Sequence, residues 1–152
     1  PMRTGALIAT SGRADVDPFI RYGFFVGAAF QIQDDLLNLV GDVVRYGKEL
    51  GGDLYEGKRT IMLIHLLEVC TAAKRERVLR LLAVPRADKS DAEGRWLRGR
   101  MDAYGAIEHA RAMANGLAGA ATIEIERIFR GMPRSRDRDF LEALATWAIE
   151  RT

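Results

Sequence analysis

The chain has 152 residues, 48% hydrophobic and 29% charged, with a net charge of +2, the proportions of one globular domain with a sizeable core. No block of like charge and no basic stripe with interleaved aromatics occurs, which argues against nucleic-acid binding, and no apolar run is long enough to span a bilayer. The single cysteine, Cys70, excludes an internal disulfide and fits a reducing compartment; with no charged-apolar-small leader at the start, a cytoplasmic protein is expected.

In chain order, residues 3–11 read as the end of a helix begun upstream, because Pro1 to Leu7 offers no N-cap. Asp17 and Pro18 predict a helix start, with the acidic cap followed by proline at the first helical position, and Gly41 predicts its stop after Val40. That helix is apolar on nearly all sides from Phe19 to Val40, the pattern of a helix buried in the middle of a large helical protein. A glycine-rich loop is expected through Thr60, which can cap a short apolar helix, Ile61 to Cys70; Thr71 can cap the next, ending near Leu82. A break at 84–89 contains Pro85, and Ser90 to Glu93 has the spacing of a capping box. A long alanine-rich helix is predicted over 105–130, ended by Gly131 and Pro133, and a last one over 136–150 with Phe140, Leu141, Leu144, Trp147 and Ala148 at helical spacing. No segment alternates with the period of a strand, and no repeat or linker divides the chain, so a single all-α unit is expected.

The chemistry concentrates in the second helix. Asp34 and Asn38 lie one turn apart on one face, with Asp35 about 100 degrees round and Gln31 a turn earlier. These four make a polar stripe hemmed by Leu36, Leu37, Leu39 and Val40, which favours a face turned to a cavity over a solvated one. Ionised carboxylates lose hydration in such a place unless a cation or hydrogen-bond partner replaces it. Magnesium answers well, since it takes one or two carboxylates and fills its remaining positions with water and phosphate oxygens. Only four of the 23 basic residues are lysines, and two of them, Lys48 and Lys58, fall in the following loop with Gly47, Gly51, Gly52 and Gly57. The loop lacks the spacing and preceding strand of a P-loop, so nucleotide hydrolysis is not implied. Joined to the carboxylates, it suggests a diphosphate held between magnesium and lysine.

The run from Gly27 to Asn38, then Gly41-Asp42, Gly47-Lys48 and Gly52 to Thr60, closely resembles the second aspartate-rich region of the trans-type isoprenyl diphosphate synthases. Arg3-Thr4-Gly5-Ala6-Leu7 resembles that family's upstream Lys-Thr segment, and residues 145–151 its last helix. The resemblance implies the all-helical isoprenoid synthase bundle, usually a homodimer, and a magnesium-dependent prenyltransferase condensing an allylic diphosphate with isopentenyl diphosphate. Carried over by position, it implies Asp34 as the direct metal ligand, with Asp35 and Asn38 acting through water or a neighbouring contact. Lys48 and Lys58 would hold the allylic diphosphate, Arg3, Thr4 and Gln31 would flank it, and Phe30 would lie against the isopentenyl group. The family commonly has aspartate at Asn38 and lysine at Arg3. It also carries another aspartate-rich motif on a facing helix, whereas Asp34-Asp35 is the only Asp-Asp pair here. The chain is therefore expected to be the C-terminal half of a synthase, inactive alone. A non-catalytic regulatory subunit and a class I terpene cyclase stay open as alternatives; the lysine-bearing loop argues against the cyclase.

Among other residues, His65 and Cys70 are expected in the core, His109 on the surface, and Arg134, Arg136 and Arg138 at a solvated helix start. Phe19, Tyr22, Phe24 and Phe25 fit either a prenyl tunnel or a packed core.

Overall fold

The computed structural model describes residues 2–13, 15–41 and 51–151, and among them it is helical with no strand. In chain order the helices are α1 (Met2–Ala9), α2 (Asp17–Val40), α3 (Gly52–Glu56), α4 (Ile61–Val69), α5 (Ala72–Ala83), α6 (Asp91–Ala103), α7 (Ala106–Ile128) and α8 (Arg136–Glu150), with a 3-10 turn at Arg86–Asp88. They form two compact units, the first holding residues 1–33 and 113–151 and the second residues 34–112, so that the division runs through both α2 and α7.

In the first unit, Tyr22 and Val26 of α2, Ala121 and Ile125 of α7, and Ala145 and Ala148 of α8 make one buried cluster. The spacing of four in the first two pairs and three in the last sets one stripe of each helix against the others. The Tyr22 hydroxyl is satisfied by donating to the Leu141 carbonyl. This packing corrects the expectation of a helix buried all round. Neighbours cover one side of α2, leaving Ile20 and Phe24 exposed, Phe24 at 66%. The aromatics therefore divide: Tyr22 is core, Phe25 packs against the cluster, and Phe24 faces outward. Phe140 and Trp147 of α8 are likewise exposed, while Leu141 and Leu144 pack inward. The arginines before and within α8 are not merely solvated. Arg134 pairs with Asp139 and Glu142, and half-buried Arg138 pairs with Glu142 at 2.7 Å while its guanidinium lies over the Phe129 ring. The hydrogen bond from Arg138 holds the Glu142 carboxyl below the usual carboxylate range.

Capping chemistry explains the helix starts of the second unit. The Thr60 hydroxyl accepts from the Leu63 N–H at 3.3 Å and starts α4. Ser90 and Glu93 form the reciprocal box that starts α6, the Ser90 side chain accepting from the Glu93 N–H and the Glu93 carboxylate from the Ser90 N–H. Thr71 stands before α5, but its side chain makes no capping bond. At α2 the expected Asp17 cap is displaced: the helix already includes Asp17, and the Asp15 carboxylate accepts from the Asp17 N–H at 3.0 Å. Cys70 is buried. His65 is half-buried beside the Tyr104 carbonyl and stacked on His109 with ring centroids 4.2 Å apart, so His109 is half-buried rather than a plain surface residue.

Candidate diphosphate and metal site

The last turn of α2 carries polar groups into the second unit, and each buried one has a named partner. Asp35 is 6% exposed and Asn38 8%. Such burial is tolerable only with hydrogen bonds to replace water. Asp35 accepts from the Lys58 ammonium at 2.7 Å. The Asn38 side-chain oxygen accepts from the Asp53 N–H at 3.1 Å, and its backbone carbonyl from the Gly51 N–H at 2.7 Å. Asn38 thus pins the start of α3 to the end of α2.

The expected glycine-rich loop is in part this helix, a single turn bounded by glycines. Gly51 and Gly57 flank α3 at φ 77° and 72°, the left-handed region where a side chain would strain the backbone. Between them the chain makes one turn, and Lys58 emerges facing two carboxylates. Its ammonium donates to Asp53 at 3.0 Å as well as to Asp35. The hydrogen bond to Asp35 is the main cause that holds Lys58 above the ordinary lysine range; desolvation pulls the other way, and Asp53 reinforces the rise. Lys58 is therefore a permanent cation in a fixed place. Two of its three N–H donors are engaged by these carboxylates, and the third can reach a further oxygen.

The structure brings together Asp35, Asn38 and Lys58 of the expected set, with half-buried Asp34 beside them in sequence on the same helix turn. Arg3, Thr4, Phe30 and Gln31 belong to the first unit, all four exposed. There Arg3 lines a cleft of about 530 Å³ with Met2, Phe19, Ile20, Gly23, Val26 and Gly27. Lys48 lies outside the described residues. Asp53 is the residue that sequence reasoning passed over. The available signal was a carboxylate five residues before Lys58, with a glycine between them to turn the chain back.

The donor set can be tested against magnesium. Among the described residues no group of three or more His, Cys, Asp and Glu forms a protein cage for a metal ion. Asp35 and Asp53 nevertheless set two carboxylates against the one ammonium of Lys58, and Asp34 adjoins Asp35 on α2. A bare diphosphate would be repelled there, whereas a divalent cation would offset the excess. Magnesium fits in its usual manner, with one or two protein carboxylates and the remaining positions filled by water and phosphate oxygens.

Known proteins resemble this chain in sequence and in fold. A family model described as polyprenyl synthetase matches residues 1–96. The chain is 32% identical over 149 residues to a short chain isoprenyl diphosphate synthase of Methanothermobacter thermautotrophicus, covering 98% of this chain and 43% of that protein. The geranylgeranyl pyrophosphate synthetase from Pyrococcus horikoshii matches with a TM-score of 0.75 at 28% identity, over 90% of this chain and 39% of that one. A geranylgeranyl pyrophosphate synthase from Corynebacterium glutamicum, solved with isoprenyl diphosphate and magnesium, gives a TM-score of 0.74 at 26% identity, over 90% and 38%. The chain thus spans about two fifths of the length of these relatives. No helix among the described residues is long and apolar enough to cross a membrane. The all-helical fold is that of the isoprenoid synthases, and with the family model matching 96 of its 152 residues the chain belongs to the polyprenyl synthetase family.

Proposed function

We propose that this chain forms one wall of the diphosphate site of a magnesium-dependent trans-prenyltransferase, which joins an allylic diphosphate to isopentenyl diphosphate. The observation that carries the reading is the bracket of Asp35 and Asp53 around Lys58, at 2.7 and 3.0 Å, beside Asp34. Magnesium, when bound, supplies positive charge that stabilises the departing pyrophosphate. Asp34 would hold the metal, as the family resemblance implies. Asp35 and Asp53 aim the Lys58 ammonium, whose remaining donor takes a phosphate oxygen, so the lysine is set in place before the leaving group gains charge. Asn38 fixes the turn that carries Asp53. By family resemblance, Lys48 is a second diphosphate contact, Arg3, Thr4 and Gln31 flank the diphosphate, Phe30 meets the isopentenyl group, and the working form is a homodimer.

The single Asp-Asp pair, together with the share of the relatives' length that is matched, supports the C-terminal half as the part in hand. The 152-residue chain by itself is then expected to bind diphosphate weakly and to turn over nothing. Prenyltransferase activity from the purified chain alone would overturn the one-wall reading. The direct test is calorimetric titration with pyrophosphate, with and without magnesium. Binding should require the metal and weaken at least about tenfold in Asp34→Ala, the scale expected for loss of a metal ligand. Binding that ignores both magnesium and Asp34 would remove the site.

A further inference from the structure

We infer that Arg151 and Trp147 are positioning residues for the contact with the isopentenyl group, acting through the ring of Phe30. The inference rests on the assignment of Phe30 made above, and it concerns residues to which neither the motif nor the comparisons give a role.

Arg151 follows the last turn of α8, yet it is bound to α2. Its guanidinium carbon lies 3.5 Å from the centroid of the Phe30 ring. The same guanidinium donates through Nη2 to the Phe30 carbonyl at 2.8 Å and through Nε to the Ala148 carbonyl at 3.3 Å. The Arg151 carbonyl in turn accepts from the Gln33 side chain at 3.0 Å. Trp147, four residues earlier, stacks on Phe30 with ring centroids 6.1 Å apart and planes inclined by 27°. All of these residues belong to the first unit.

Each contact has an ordinary physical cause. The ring face is negative and attracts a guanidinium, and an offset aromatic neighbour adds attraction and area. Their convergence on one side chain is what calls for explanation. Phe30 is 36% exposed, and Trp147 is 53% exposed. A core does not need this arrangement, because little water is excluded by it. Its effect is to take rotational freedom from an exposed ring immediately before Gln31 and the Asp34-Asp35 pair, so that the ring offers a fixed apolar face. A five-carbon group with one double bond has only such faces to recognise. Holding the ring beforehand spares its ordering cost at the moment of binding.

The test uses the catalytically competent enzyme with every chain it requires, and steady-state kinetics resolved for each substrate. Phe30→Leu should raise KM for isopentenyl diphosphate. Arg151→Ala should raise the same constant about tenfold, a cation–π contact and a charge-assisted hydrogen bond being lost together, with less than about twofold change in KM for the allylic diphosphate. Arg151→Lys, which keeps a cation for the ring, should recover part of the loss; Arg151→Met, which keeps the stem without the charge, should not. In Phe30→Leu the further change Arg151→Ala should add little, because both act through one ring. Trp147→Leu should shift in the same direction. With Trp96→Phe as background, emission from Trp147 should change on addition of isopentenyl diphosphate and cease to do so in Phe30→Leu. If Phe30→Leu raises KM for isopentenyl diphosphate and Arg151→Ala does not, or if Arg151→Ala raises both substrates' KM equally, the positioning role is wrong while the site stands. If Phe30→Leu has no effect on KM, the assignment of Phe30 is wrong and this inference goes with it.

Discussion

The two ends of α2 bury different chemistry. Toward its start, Tyr22, Val26 and Ala29 enter an apolar interior in the first unit; in its last turn, Asp35 and Asn38 are buried almost as fully in the second, at 6% and 8% exposure. Apolar burial has no direction, so any neighbour of suitable shape serves and the gain scales with area. Polar burial is directional, and the cost is met only by partners at hydrogen-bond distance. The first end can therefore drift in sequence with little consequence beyond stability. The second is tied to Lys58, Gly51 and Asp53, and the proposed site draws on those ties.

The largest test of the contrast is Tyr22, which joins both kinds of burial in one side chain. Tyr22→Ala should cost about 3–5 kcal/mol in urea unfolding, the range for deleting a fully buried aromatic. Tyr22→Phe keeps the ring and leaves the Leu141 carbonyl without its hydroxyl donor, for about 1 kcal/mol. Burial raises the Tyr22 phenol from its ordinary 10.0 to about 12. The unfolded chain therefore releases this proton first. The stability it contributes is whole below pH 10 and is lost as the pH rises toward 12, so wild type should lose more over that window than Tyr22→Phe, whose phenylalanine does not titrate. Equal losses in the two proteins would show that the hydroxyl is not held as the structure has it.

A smaller effect is expected at Lys58, where partner and not area decides. Lys58→Met keeps most of the stem and removes the charge, so that buried Asp35 loses the Lys58 ammonium. The cost should be about 1–3 kcal/mol, the penalty of stranding a buried polar group. Asp35→Asn combined with Lys58→Met should be less destabilising than the two single losses added, because the second change removes the charge the first had stranded. Strict additivity would mean that the 2.7 Å contact carries no coupling, and the bracket would lose its role in the site.

The same distinction separates what could be read in the sequence from what could not. Helix spacing and caps are local, so α2 begins within one residue of the expected start and ends at the expected Val40, α8 covers the expected 136–150, and the Ser90 box forms as spaced. The paired carboxylates stood out because Asp34 and Asp35 interrupt an apolar helix. Which of them keeps the lysine was hidden, since Asp35 and Lys58 meet only after α3 has turned between Gly51 and Gly57. Arg151 was more deeply hidden: its contact with Phe30 joins positions 121 residues apart, and no periodicity encodes such a pair. Apolar pattern also overstated the burial of α2, because it records which residues can be covered and not whether a neighbour covers them. Phe24 shows the difference.

The smallest effect is at two helix caps of the second unit that look alike in sequence. Ser90 and Thr71 are both hydroxyl residues one position before a helix, yet only the Ser90 side chain caps its helix, its hydroxyl accepting from the Glu93 N–H while its own N–H donates to the Glu93 carboxylate at 2.9 Å. Ser90→Ala should cost about 1 kcal/mol, the usual value of a lost cap. Thr71→Ala should stay within about 0.5 kcal/mol, as surface substitutions without a partner do. These bonds to Ser90 hold the Glu93 carboxyl below its ordinary 4.5. Its contribution is therefore complete above pH 4.5 and falls away as the pH drops through the lowered folded value. The difference between wild type and Ser90→Ala should shrink in acid, while the difference for Thr71→Ala stays flat. Two hydroxyls with the same position and propensity would then differ only by whether a partner is in reach, which is the rule that sets the last turn of α2 apart from its first.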